Sequence, residues 1–309
     1  MNCIKIFDTH CDTISKIYEF GGNLFENDYQ VDIKRMKRFE NFAQVFAIFT
    51  DKNELSEKII KNELNLNFFE FTLNLIKRYF AEIELNFEAI SHCENAIDIT
   101  YAFEQNKIAA MLAIEGGEVL CGSLENLQKL YDLGVRILTL TWNYDNELGS
   151  GAYGDGGLTN FGKVVIREMN RLGMIIDVSH LNEAGFWDVI QITDTPVIAS
   201  HSNAYACCKH PRNLTDKQIS ALADMQGYIG LNLYSDFLND DKNACITDVV
   251  RHVEHFKKLG AGEILGLGCD FDGVDKLPLR IAGAQDICKL PINEDIAFNN
   301  FYKYIWRVL

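Results

Sequence analysis

Apolar positions along the chain fall in blocks rather than in simple alternation. Eight short segments rich in β-branched and apolar residues, each flanked by Gly, Asn, Asp or Ser, read as strands: Cys3–Asp8, Phe42–Phe49, Ala109–Ile114, Val135–Thr141, Met174–Val178, Val197–Ser200, Tyr228–Leu233 and Ile264–Gly268. Several are apolar throughout, as strands covered on both faces should be, whereas a half-solvated antiparallel sheet would alternate. Amphipathic stretches between them predict helices: Leu55–Phe80, Asn86–Gln105, Leu124–Leu133, Asn160–Leu172, Asn182–Ile192, Asp216–Asp224 and Thr247–Leu259. Ser123 and Thr215 stand at N-cap positions, and Gly134, Gly173 and Gly260 close three helices. Strand–helix alternation of this kind predicts an α/β fold, a single (β/α)₈ TIM-type barrel domain over residues 1–309, with an extended connection between Thr50 and Lys107. The rival, an open doubly wound sheet, lacks a G-x-G-x-x-G after its first strand to mark a dinucleotide crevice.

Composition narrows the partners. With 309 residues, 48% hydrophobic and 24% charged, the chain has the balance of an ordinary globular protein and the length for a large core. A net charge of −15 repels phosphate backbones and anionic lipid, so neither a nucleic-acid nor a membrane partner is expected. No apolar run approaches about 18 residues. Asp8, His10 and Asp12 occupy the place where a secretory signal carries its apolar stretch, and a cytoplasmic location is the expectation. The nine cysteines are odd in number, irregularly spaced and without a C-x-x-C pair, which predicts free thiols; adjacent Cys207 and Cys208 read as part surface, part core.

In a barrel, functional side chains stand at the C-terminal ends of strands and in the loops that follow. Here the first strand runs into Asp8-Thr9-His10-Cys11-Asp12, the third into Glu115-Gly116-Gly117-Glu118 and the fifth into Asp177-Val178-Ser179-His180. The sixth runs into Ser200-His201-Ser202 and the eighth into Asp270-Phe271-Asp272-Gly273. Each such residue alone has an ordinary reading as a helix cap or loop contact. Together, imidazoles and carboxylates on neighbouring strand ends are the ligand set of a divalent metal such as zinc. His10 and Asp12, two apart and so on one face of an extended strand, are assigned to one metal, His180 and His201 to a second, and Glu115 to both. Such a pair makes a bridging water acidic enough to attack a carbonyl. Asp270 is the candidate to take that water's proton and deliver it to a leaving amine; Asp272 is its rival, although a D-G turn favours a structural role. His252 and His255, among Arg251, Glu254 and Lys257, read as a solvated helix face.

These residues resemble the membrane dipeptidase (renal dipeptidase-type) family of zinc peptidases, within the metal-dependent amidohydrolase superfamily. The likeness covers nearly the whole chain and rests on the strand-end segments above, with Leu138-Thr139-Leu140-Thr141, Asn170-Arg171-Leu172-Gly173, Ser200-His201-Ser202-Asn203-Ala204 and Pro211-Arg212-Asn213. It implies a barrel with two Zn²⁺ ions held by His10, Asp12, Glu115, His180 and His201, Glu115 bridging. It further implies that Arg212 pairs with the free carboxylate of a dipeptide, that Asp270 contacts the catalytic water or substrate amine, and that the chain forms a homodimer. Without the resemblance, Arg212 would read as a surface ion pair near Lys209 and Asp216. One departure is plain: after Thr141 the family often has a His thought to steady the tetrahedral intermediate, and this chain has Trp142. An indole has one donor and takes no positive charge, which passes the oxyanion role to Asn143, Tyr144 or a metal.

The leading expectation is therefore a zinc dipeptidase working through a metal-bridging hydroxide on short dipeptides, the resemblance allowing a D-residue at the C-terminal position. An amidohydrolase acting on N-acyl amino acids, lactones or cyclic amides is the nearest alternative, and a need for Arg212 separates the two. A non-catalytic metal- or peptide-binding barrel is the alternative from another class, motivated by Trp142.

Overall fold

The computed structural model describes residues 2–50 and 67–309. Its strands are β1 (Asn2–Cys11), β2 (Phe39–Phe49), β3 (Ile90–His92), β4 (Ile108–Glu115), β5 (Val135–Thr139), β6 (Ile175–Asp177), β7 (Ile198–Ala199), β8 (Tyr228–Leu231) and β9 (Leu265–Leu267). All pair in parallel, and because β2 pairs with β4 as well as with β1, eight of them close into a barrel in the order β1-β2-β4-β5-β6-β7-β8-β9. The expected (β/α)₈ barrel is the observed fold, and each predicted strand corresponds to one of these eight. The ninth, β3, pairs only with the first residues of β4, below the point where β5 takes over that edge.

The principal helices are α1 (Thr13–Phe20), α2 (Ile33–Met36), α3 (Phe68–Leu85), α4 (Ala96–Glu104), α5 (Leu124–Asp132), α6 (Asn160–Leu172), α7 (Glu183–Ile192), α8 (Asp216–Asp224), α9 (Ser235–Leu238), α10 (Ile246–Lys258) and α11 (Asn300–Val308). Local chemistry sets their ends. Thr215 and Gln218 form a reciprocal capping box on α8, and Gly173 closes α6 at φ 74°, where a side chain would be strained. Ser123 precedes α5 but makes no side-chain cap. Two predicted helices differ from expectation. Residues 55–66 of the first lie outside the described residues; the described helix starts at a capping box of Asn67 and Glu70 and runs on to Leu85. The stretch Asn86–Gln105 is not one helix, because Ile90–His92 pairs with β4 and Asn95 caps a separate α4.

Two apolar layers hold the barrel. Ile6, Phe46, Leu112, Leu138 and Ile176 face outward under the helices. Phe7, Val45, Met111, Ile137 and Tyr228 face inward and meet Phe298, Phe301 and Tyr304 from the C-terminal segment. The Phe301 ring stands edge-on to Phe7 at 4.7 Å, and Tyr304 Oη donates to Pro196 O just before β7, so this segment stoppers the N-terminal face. Eight cysteines are described and all are free thiols; Cys208 is buried and Cys207 partly exposed, as read. Among the described residues no helix is long and apolar enough to cross a membrane.

The solvated-face reading of His252 is overturned. The ring is fully buried, its Nδ1 accepting from Ala204 N at 3.1 Å and its Nε2 donating to Leu238 O at 3.1 Å. His255, one turn on, pairs with Asp216. The charged neighbours of His252 said nothing about its own side of α10, which packs beneath the loop after β7.

Candidate metal centre

At the C-terminal face the chain departs from regular strand geometry where the polar residues stand. Between Asp8 and Cys11 β1 advances three residues while β2 advances two, from Gln44 to Phe46. That bulge changes the side-chain alternation. Phe7 and Thr9 point into the barrel, Thr9 Oγ1 reaching Ser200 O and Leu267 O, and after the bulge His10 and Asp12 also turn inward while Cys11 joins the outer layer. His180 and Asp270 take φ values of 67° and 61°, in the left-handed region that non-glycine residues adopt at a cost. Gly116 follows Glu115 at φ 100°, and a Cβ at Gly273 would lie 2.3 Å from Asp12 Oδ2 and 2.4 Å from Asp270 Oδ1. Only glycine fits that approach.

These devices bring the six strand-end candidates together. His10 Nε2 lies 3.3 Å from Asp12 Oδ2, 3.3 Å from Glu115 Oε2 and 3.8 Å from Asp270 Oδ1. Glu115 Oε1 lies 2.8 Å from His180 Nε2 and 3.6 Å from His201 Nε2, and the two Nε2 atoms are 2.8 Å apart. Glu115 thus presents one oxygen to the His10 side and the other to the His180–His201 side. His10 with Glu115 and His201, and His10 with Asp12 and Asp270, form two groups compact enough to hold a cation.

The donor set fits a divalent metal on two counts. His10 Nε2 and Asp12 Oδ1 are buried without a hydrogen-bond partner, a state that costs free energy unless a ligand satisfies it. Burial also pushes Glu115 up to about 7 and raises Asp270, while burial pushes His180 and His201 well below the imidazole range. Burial opposes charge on His10 too, but Glu115 and Asp12 override it and hold its pKa well above the usual value. Carboxylates crowded where charge is costly, beside neutral imidazoles, are the electrostatic setting that a divalent cation relieves.

Arg212 is no surface ion pair, for it is buried, its Nη2 donates to His201 O at 3.3 Å and its Nε has no partner. Burial lowers it to about 10, with Asp270 and Glu115 opposing. With Asn182, Ser202 and Tyr205, Arg212 also borders a cavity of about 530 Å³ whose lining includes none of the six cluster residues. Asp272 takes the structural role, accepting from Thr13 Oγ1 at 2.6 Å and Gln30 N at 2.8 Å. Asn143 meets the cluster directly, its Oδ1 lying 2.8 Å from His180 Nδ1. Trp142 packs between Phe49 and Tyr144, its ring 6.1 Å from that of His180, and Tyr144 is half-exposed at the rim. Sequence reasoning did not single out Asn232, whose Nδ2 donates to Asp270 Oδ2 at 2.8 Å; a polar Asn within the expected apolar strand Tyr228–Leu233 was the available signal.

A family model described as membrane dipeptidase (peptidase family M19) matches residues 1–292. Among solved structures the chain is similar to a metallo peptidase from Rhodobacter sphaeroides, liganded with a phosphinate mimic of the dipeptide L-Ala-D-Ala, at TM-score 0.89 and 24% identity over 100% of both chains. It is similar to dipeptidase AC, a metallo peptidase of family M19, at TM-score 0.88 and 24% identity over 99% of both chains. It is also similar to the probable dipeptidase PvdM from Pseudomonas aeruginosa, at TM-score 0.85 and 15% identity over 99% of this chain and 95% of the other.

Proposed function

The chain belongs to the membrane dipeptidase family of metallopeptidases, and on that premise we propose that it hydrolyses the amide bond of free dipeptides with two zinc ions bound. The observation that carries this reading is the buried Arg212 beside the six-residue cluster. A planar guanidinium with an unpartnered Nε, bonded to the His201 carbonyl and within the field of Asp270 and Glu115, suits a free α-carboxylate. A simple lactone or cyclic amide offers it no carboxylate to pair with.

In this reading His10 and Asp12 would hold one ion, His180 and His201 the other, and Glu115 would serve both. When bound, the ions supply an acidified water and a polarised carbonyl. The remaining work belongs to the chain. Arg212 fixes the carboxylate end, and thereby the distance of the scissile amide from the cluster. Asp270, oriented by Asn232 and raised by burial, takes a proton from the attacking water on its Oδ1 side and returns it to the departing amine. Asn143 spends Oδ1 on His180 and keeps its Nδ2 hydrogens to donate toward substrate, with the Tyr144 hydroxyl as the second candidate donor at the rim. The likeness to a protein liganded with a mimic of L-Ala-D-Ala supports including dipeptides with a C-terminal D-residue.

The test is elemental analysis of purified protein together with amino-acid release from L,L and L,D dipeptides, their N-acetylated forms and their C-terminal amides. Near two zincs per chain with release from free dipeptides, and little from the amides, is expected. Equal turnover of dipeptide and dipeptide amide would overturn the Arg212 reading, and protein that binds no zinc would overturn the ligand set.

A further inference from the structure

Asp177, which ends β6, makes no hydrogen bond or ion pair with any of the six cluster residues, yet four donors converge on its carboxylate. Its Oδ1 accepts from Ser179 N and Ser200 N, each at 2.9 Å. Its Oδ2 accepts from Thr139 Oγ1 at 2.6 Å and Ser200 Oγ at 2.5 Å. Ser200 Oγ in turn lies 2.8 Å from His201 Nδ1. All of these groups are buried, and they tie β5, β6 and β7 together immediately beneath the cluster.

Proton counting along this chain has one outcome. A serine hydroxyl has a single hydrogen. An ionised carboxylate only accepts, so Ser200 spends that hydrogen on Asp177 and offers His201 a lone pair. Ser179 Oγ accepts from His201 N and lies 3.3 Å from Ser200 Oγ, a much longer contact than the 2.5 Å from Ser200 Oγ to Asp177, so it does not compete for the Ser200 hydrogen. His201 Nδ1 must therefore carry its proton, which leaves Nε2, 2.8 Å from His180 Nε2 and 3.6 Å from Glu115 Oε1, with its lone pair turned into the cluster. We propose that Asp177 is a positioning residue of the metal centre, acting through Ser200 to fix His201 in the tautomer that binds a cation at Nε2. The proposal rests on the reading of His201 as a ligand.

Asp177→Asn reverses the relay without changing its shape. The two backbone N–H groups hold the amide oxygen at the Oδ1 position, so the amide nitrogen faces Thr139 and Ser200 and donates to both. Ser200 then turns its hydrogen toward His201 Nδ1 and forces the proton onto Nε2. Zinc affinity, by chelator competition, should fall on the order of 10- to 100-fold. In metal-free protein with neutral imidazoles, the ring nitrogen shifts of His201 should change from the Nδ1–H to the Nε2–H pattern. Ser200→Ala removes the bias instead of reversing it and keeps three of Asp177's bonds, so its affinity should lie between wild type and D177N. The double variant D177N/S200A should bind zinc more tightly than D177N alone. A merely structural Asp177 predicts the opposite, damage that accumulates.

Wild-type affinity in S200A, an unchanged tautomer in D177N, or a double variant weaker than D177N would each overturn the relay. Wild-type protein that binds no zinc while the D177N tautomer still switches would instead overturn the ligand reading and leave the hydrogen-bond chain standing. Should D177N not fold, S200A alone decides the matter.

Discussion

The two ends of the barrel are built on opposite rules. At the N-terminal face Phe7, Tyr228, Phe298, Phe301 and Tyr304 fill the interior with rings, and the polar tips at this level, Tyr228 Oη and Tyr304 Oη, each donate to a backbone carbonyl. At the C-terminal face three carboxylates and three imidazoles are equally buried but leave Asp12 Oδ1 and Arg212 Nε without a hydrogen bond and His10 Nε2 with only charge contacts at 3.3 Å, on a backbone with His180 and Asp270 at positive φ. One face spends burial on stability. The other places expensive groups where a ligand can satisfy them, and the stoppered end supplies the stability that this requires.

The contrast is broken most severely by removing Glu115. Glu115→Gln keeps shape and burial but takes away the charge facing both halves of the cluster, so kcat/KM should fall at least about 1,000-fold with loss of bound metal, at least ~4 kcal/mol. Because burial already raises the Glu115 pKa to about 7, neutralising it should leave the thermal midpoint of metal-free protein unchanged or higher. A large drop in that midpoint would show the carboxylate to be structural. Phe301→Ala does the converse at the other end, where the ring touches Phe7, Tyr228 and Tyr304. It should cost about 3–5 kcal/mol of stability by calorimetry, while turnover per folded molecule well below the melt stays near wild type. Lost turnover at full folding would mean that the two faces are coupled.

The same contrast explains what could be read in the chain. Strand ends were legible because a short apolar block stopping at His, Asp or Glu is a local pattern, and all six cluster residues stand at such ends. The parts built from distant residues were not. Ile90–His92 looks helical beside Asn86–Gln105 until β4 offers it an edge, and β2 passes over β3 to close on β4, which no local pattern announces. The bulge in β1 exists only relative to β2. Asn143 and Asn232 meet cluster residues that belong to other strand ends, and Ser200 joins its neighbour His201 to Asp177 on the adjacent strand, so their roles depend on register; Asp177 was visible as a residue of a motif while its four donors were not.

Arg212→Ala sharpens the comparison within the C-terminal face, separating capture from chemistry. Losing a desolvated carboxylate partner should cost on the order of 2–4 kcal/mol in kcat/KM, mostly as a higher KM, with zinc content unchanged. A preparation that loses zinc as well would make Arg212 a support of His201, through its contact with the His201 carbonyl, rather than a reader of substrate.

The smallest effect concerns the loop that carries Arg212, which His252 latches to α10 by using both ring nitrogens in the neutral form. Burial lowers this imidazole to about 4, against about 6.5 in an unfolded chain. The folded state therefore binds fewer protons than the unfolded state between those values. Stability is fully present above about 6.5 and is lost as the pH falls toward about 4, by up to roughly 3 kcal/mol. Burial also depresses His180, His201 and His210, so the whole-protein profile mixes several groups. His252→Gln isolates one of them. Its amide oxygen accepts from Ala204 N and its amide nitrogen donates to Leu238 O, as the imidazole does, but it does not titrate. The stability of wild type relative to H252Q, by denaturant unfolding of metal-free protein, should fall by that amount across the window. A difference that stays flat with pH would mean that the loop yields before the ring does, and that the C-terminal face is held elsewhere.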